Sequence, residues 1–196
     1  YNQFEGNPNW QITPQGKETL RALYDKFKPK DKILLYSKYF EQELRLSEYD
    51  DVPKDFKERE IYNRNFQKNA LKRFLEEFGL DKLLTLVESS EDTYAIVRAL
   101  EDIKDLDPIF DFIPMCLNSD NLNLINFAQL LLYHIYNVKQ QFILSYISKS
   151  TFDDITKSKI LASLPYGKDI KILLDQSSNI IREKYWANLS LVSIDH

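Results

Sequence analysis

The chain carries 196 residues, 26 Lys and Arg against 30 Asp and Glu for a net charge of −4, 43% apolar side chains and four glycines. That apolar share over that length can bury a substantial core without disulfides or metal, and it excludes wholesale intrinsic disorder. The negative balance argues against a dedicated duplex-DNA binder, whose phosphate contacts come from a basic stripe.

The single cysteine, Cys116, sits among apolar neighbours and cannot form an internal disulfide, which points to a reducing compartment, by default the cytoplasm. The strongly apolar stretch Leu130 to Tyr136 is far too short to span a bilayer. Gly6, Gly16, Gly79 and Gly167 are isolated from one another, so no glycine-rich turn can gather backbone amides onto a phosphate.

The opening arm holds Tyr1, Phe4 and Trp10, begins without Met and shows no basic-then-apolar leader, so a piece of a longer polypeptide is expected. Thr13-Pro14 then opens a helix, since Thr caps and Pro fits the first helical position; Leu20, Leu23, Tyr24 and Phe27 follow at helical spacing, and Pro29 closes it. Asp31 caps the next, where Leu35, Tyr36, Tyr39 and Phe40 form a stripe ahead of the polar loop Ser47 to Asp51.

Pro53 is expected to start the longest helix. Tyr62, Phe66, Ala70, Phe74 and Phe78 recur every fourth residue, joined by Leu71 and Leu75, until Gly79 offers a C-terminal cap. Charged residues fill the positions between and read as a solvated face.

Beyond Gly79 the texture changes to short helices in pairs. Leu80, Leu83, Leu84 and Val87 make one stripe; after the cap supplied by Ser89-Ser90-Glu91-Asp92, Ile96, Leu100 and Ile103 make its partner. Asp107-Pro108 opens a helix carrying Ile109, Phe112, Ile113, Cys116 and Leu117, which Pro114 should kink. Past Asn118-Ser119-Asp120 comes a broad stripe, Leu124, Phe127, Ala128, Leu131, Leu132 and Ile135. A third pair spans Phe142 to Leu164 around the cap Thr151 to Asp154, and a fourth runs from Ile170 to Leu189 around Ser177-Ser178-Asn179. No segment alternates with period two for long enough to compete, so the fold class is all-α.

The second helices share a small-then-aliphatic step at Ala95, Ala128, Ala162 and Ala187, evenly spaced except that the last comes early. A small residue lets neighbouring helices approach closely, and a short pair cannot bury its own apolar face alone, so stacking is expected. With the proline-interrupted helix at Pro114, the polar turn at Asn118-Ser119-Asp120 and the aliphatic helix around Ala128, the stretch Leu80 to Leu189 resembles the HEAT and armadillo family of α-helical repeats.

The resemblance implies a right-handed α-solenoid of stacked antiparallel pairs over residues 80–192. The helices of residues 1–78 would cap it, all within one domain, 1–196. An irregular helical bundle without true repeats is the alternative. The resemblance implies a binding scaffold more than a chemistry, although fold alone does not decide function.

No residue earns a catalytic assignment. His134 lies in an apolar stripe with no nucleophile placed beside it, and Cys116 sits on a core face where an inert thiol is expected. The two histidines, His134 and His196, are too far apart for a zinc pair, and Glu101, Asp102, Asp105, Asp107 and Asp111 lack the spacing of a calcium loop, so neither metal nor cofactor is expected. The triplet Asn188-Leu189-Ser190 matches a glycosylation acceptor but falls in an expected helix.

Arg182, Tyr185 and Trp186 form a patch whose composition suits a partner, because Trp, Tyr and Arg dominate interface energetics, or one that further repeats would cover, and Tyr1, Phe4 and Trp10 invite the same two readings. The leading expectation is therefore a non-catalytic helical-repeat scaffold that binds protein or peptide as part of a larger polypeptide. Two alternatives stand beside it. One is a nucleic-acid-binding or base-repair enzyme of the helical-repeat type, using the dense basic set Arg64, Lys68, Lys72 and Arg73; the other is a regulatory domain that assembles with itself.

Overall fold

The computed structural model describes residues 13–27, 30–41, 53, 55–100, 107–149 and 151–189, and every regular element among them is helical. The opening arm, Pro29, the Ser47 to Asp51 loop, Glu101, Asp102, Ile103, Asp105, Ser190 and His196 lie outside the described residues.

The helices begin where a short polar side chain can take up an orphan amide. Helix α1 (Pro14–Phe27) starts as the Thr13 hydroxyl accepts from the Gly16 N–H, and α2 (Lys32–Ser37) as Asp31 accepts from the Ile33 N–H. A 3₁₀ turn, Lys38–Phe40, continues α2. The long helix α3 (Phe56–Phe78) begins after Pro53 and not at it, because the Asp55 carboxylate accepts from the Lys57 and Glu58 N–H groups and fixes the start there. Gly79, at φ 74° and ψ 174°, ends it in a conformation that side chains other than glycine rarely adopt.

The first pair beyond it is α4 (Leu83–Ser89) and α5 (Thr93–Ala99), with Asp92 accepting from the Ala95 N–H. The helix expected to kink at Pro114 is two helices, α6 (Asp107–Phe110) and α7 (Ile113–Leu117). Pro114 stands in the first turn of α7, where its missing N–H would have no partner in any case. Asn121 caps α8 (Leu122–Val138), followed by α9 (Gln140–Lys149), α10 (Asp154–Ala162) capped by Asp153, α11 (Lys168–Asp175) and α12 (Asn179–Leu189).

Helix α8 is the spine of the core. It packs against α4, α5, α7 and α9, and its Phe127, Ala128, Leu131 and Leu132 are fully buried. Ala95, Ala128 and Ala162 are buried too, as residues that let helices approach closely should be. Ala187 is exposed, so the fourth small-then-aliphatic step does not repeat the environment of the first three. Helix α10 takes α7 and α12 as neighbours, joined to α7 where the Asn118 amide donates to the Thr156 hydroxyl (2.9 Å) and the Lys159 ammonium to the Leu117 carbonyl (2.9 Å).

Helix α1 stands apart from this core. None of its residues is buried, and the stripe Leu20, Leu23, Tyr24 and Phe27 is exposed, Phe27 by 72%. Among the described residues no helix is long and apolar enough to cross a membrane.

Candidate functional site

A groove between α2 and α3 follows from how the two helices are held. The backbone of α2 lies closest to α4 and that of α3 to α5, so the two helices meet mainly through long aromatic side chains. Tyr36 stands edge-on to Phe74 (centroids 5.4 Å apart), to Phe78 (5.8 Å) and to Tyr39 (5.8 Å), while Tyr39 stands edge-on to Phe66 (5.3 Å). Edge-to-face contact is the arrangement that ring quadrupoles favour, and it spaces the helices. Phe40 and Phe74 have no exposed surface. Between the two helices opens a groove of about 610 Å³ walled by Tyr36, Tyr39, Tyr62 and Phe66, with Leu35 and Ala70 also lining it.

The rim is polar. At one end the Lys32 ammonium donates to Glu77 Oε1 at 2.5 Å and the Tyr36 hydroxyl donates to Glu77 Oε2 at 3.1 Å, so both oxygens of this carboxylate are engaged. The hydrogen bond from Lys32 holds the Glu77 carboxyl below its usual range, and the same bond raises the Lys32 pKa. Burial is the main cause that lifts the Tyr36 hydroxyl, with the Glu77 hydrogen bond second; the Arg73 charge acts on it in the opposite sense. Asn69 and Arg73 stand on successive turns of α3, exposed along the groove.

The basic set named from the sequence divides across α3. Arg73 borders the aromatic groove, whereas Lys68 and Lys72 border a second hollow of about 470 Å³ floored by Leu71, Leu75 and Ala99. Arg64, Lys68 and Lys72 recur every fourth residue and so share one flank of α3, while Arg73 is turned to the other.

Of the C-terminal trio, Arg182 and Trp186 are exposed one turn apart on α12 and Tyr185 is not. Trp186 is 59% exposed and stands near Tyr166 (6.1 Å) and edge-on to Tyr185 (5.1 Å). Tyr185 itself is fully buried, so it supports Trp186 from below and presents nothing to a partner. Arg182 is exposed and donates to the Asn179 side chain one turn away.

His134 is half-buried on α8, beside the core stripe and not within it. Cys116 is enclosed in the core, and burial pushes its thiol up to about 11, far from the range of a nucleophilic thiolate. Among the described residues, no three His, Cys, Asp or Glu side chains gather as a metal site would require.

The groove residues were visible in the sequence as stripes, but as core stripes. The signal lay in residue type: Tyr36, Tyr39 and Tyr62 carry hydroxyls that favour a half-wet wall over a dry interior. The chain matches no protein-family model, no curated protein sequence and no solved structure.

Proposed function

We propose that this chain is a non-catalytic helical-repeat scaffold that binds a protein or peptide partner, with the groove between α2 and α3 as its docking site. The observation that carries the proposal is the groove itself, a trough of about 610 Å³ walled by four aromatic rings and bordered by Arg73. Aromatic and arginine side chains are the types that anchor interfaces, and the volume is of the size that takes one or two bulky side chains of a ligand. The repeat reading is supported by the succession of helices after Gly79 and by the buried Ala95, Ala128 and Ala162.

Selection of random peptides displayed on phage against the full chain tests the proposal, with Tyr39→Ala and Phe66→Ala proteins as counter-targets. The expected result is a set of peptides retained by the wild type and lost on both variants. An empty selection, or peptides held equally by all three proteins, would overturn it.

Self-association is a second reading, favoured by the exposed stripe of α1. Sedimentation across a concentration series should then show association that Phe27→Glu abolishes, and a monomer throughout would exclude it.

A further inference from the structure

The charges around the groove specify what kind of peptide it takes. The inference rests on the docking reading above and adds the partner's chemistry. Two cations and one anion face the groove: Lys32 on α2, and Arg73 and Glu77 on α3. Glu77 is neutralised where it stands, one oxygen accepting from Lys32 and the other from the Tyr36 hydroxyl. Arg73 lies one helical turn before Glu77, is exposed, and its charge reaches the groove wall at Tyr36. Beside it, on the preceding turn, the Asn69 amide supplies another donor.

A cationic ligand is disfavoured by the same arrangement. The carboxylate that would pair with a cation is already engaged by Lys32, and an incoming positive charge would meet Arg73. An anion meets the reverse: a guanidinium with its planar fork available, an amide next to it and an apolar trough alongside.

We infer that the groove binds an acidic peptide segment, seating a bulky apolar side chain among Tyr39, Tyr62 and Phe66 while a neighbouring carboxylate pairs with Arg73. Specificity then comes from two parts that must sit together, the apolar anchor and the acid beside it.

Fluorescence polarisation on the full chain tests this with three labelled probes: a peptide of repeated Asp-Phe-Glu-Leu, its counterpart of repeated Lys-Phe-Lys-Leu, and a short oligouridylate. The acidic peptide should bind saturably, weaken as salt rises, and lose about tenfold or more in affinity on Arg73→Glu, with partial recovery in Arg73→Lys. Phe66→Ala should also weaken it, while Lys72→Glu, on the other flank of α3, should change little. Stronger binding of the lysine peptide or of the oligouridylate overturns the inference, as does acidic-peptide binding indifferent to Arg73→Glu. If the acidic peptide fails to bind while phage-selected peptides still depend on Tyr39 and Phe66, the acidic preference is wrong and the docking site stands. If neither class binds, the docking reading itself falls.

Discussion

The Cys116 thiol lies between Ile113 and Leu117 on the buried face of α7, and desolvation, helped by the charge of Glu88, lifts its pKa to about 11. At neutral pH the thiolate is then roughly one part in ten thousand, and the sulfur is out of reach as well. Native protein should stay unlabelled by iodoacetamide over a time in which urea-unfolded protein is labelled fully, as read by mass spectrometry; rapid stoichiometric labelling of the native chain would contradict this placement. Asp153 gives the opposite case of a side chain tuned by contacts at the surface. Its carboxylate accepts from the Thr156 hydroxyl (2.6 Å), the Thr156 N–H (2.9 Å) and the Ile155 N–H (3.0 Å), which together hold its pKa below the ordinary 3.8. Because the folded state binds this proton less readily than the unfolded chain, the stabilisation is complete above pH 3.8 and is lost as pH falls through the lower folded-state value. Asp153→Asn keeps a capping oxygen but has nothing to titrate, so its urea midpoint should fall less steeply in acid than that of the wild type. Equal acid slopes would remove Asp153 from the account. Residues of this kind were legible in the sequence. Thr13, Asp31, Asp92 and Asp153 each act on an amide two or three positions away, and a local interaction leaves a local trace.

Amphipathic spacing alone does not distinguish a helix that is packed from one that is not. The stripe of α1 (Leu20, Leu23, Tyr24, Phe27) has the same period as the stripe of α8, yet the α1 stripe is exposed and none of its helix is buried, while Phe127 and Leu131 on α8 have no exposed surface. Periodicity states that a face is apolar; what covers the face depends on the rest of the chain. The two helices should therefore answer mutation differently. Phe127→Ala is expected to cost roughly 3–5 kcal/mol in chemical denaturation, whereas Phe27→Ala should stay within about 0.5 kcal/mol. Comparable losses would mean that α1 is packed. The end of α3 is a separate test, since Gly79 has open space around its Cα but a φ of 74° and ψ of 174°. Gly79→Ala should cost about 1–3 kcal/mol through backbone conformation with no steric clash, and a neutral substitution would show that α3 does not need this ending. Pro114 shows the limit of reading one residue at a time: proline forbids the interior of a helix and suits its first turn, and only the break at Asp111 and Phe112 decides which applies.

At the scale of the molecule, the all-helical class and the order of the elements followed from the sequence, whereas the neighbours of each helix did not. In a uniform stack, second helices would meet second helices. Here α5 meets α8 and α10 meets α12 in that way, but between them α8 takes α9 and α7 takes α10. Those choices depend on turn lengths and side-chain volumes summed over distant segments, which no local pattern encodes. The groove was hidden for the same reason. Tyr36 and Tyr39 belong to one stripe, Tyr62 and Phe66 to another, and the space between them exists because α2 leans on α4 while α3 leans on α5. Trp186, by contrast, stood out in the sequence, and the structure leaves it exposed on α12.

These two surfaces lie on different elements, so a single experiment can choose between them. The amide resonances of the full chain, followed by NMR as a phage-selected peptide is added, report which residues feel the ligand. The account predicts shifts concentrated in residues 32–40 and 62–77, strongest near Tyr39, Phe66 and Arg73. Shifts concentrated instead around Tyr166, Arg182 and Trp186, with α2 and α3 silent, would contradict it.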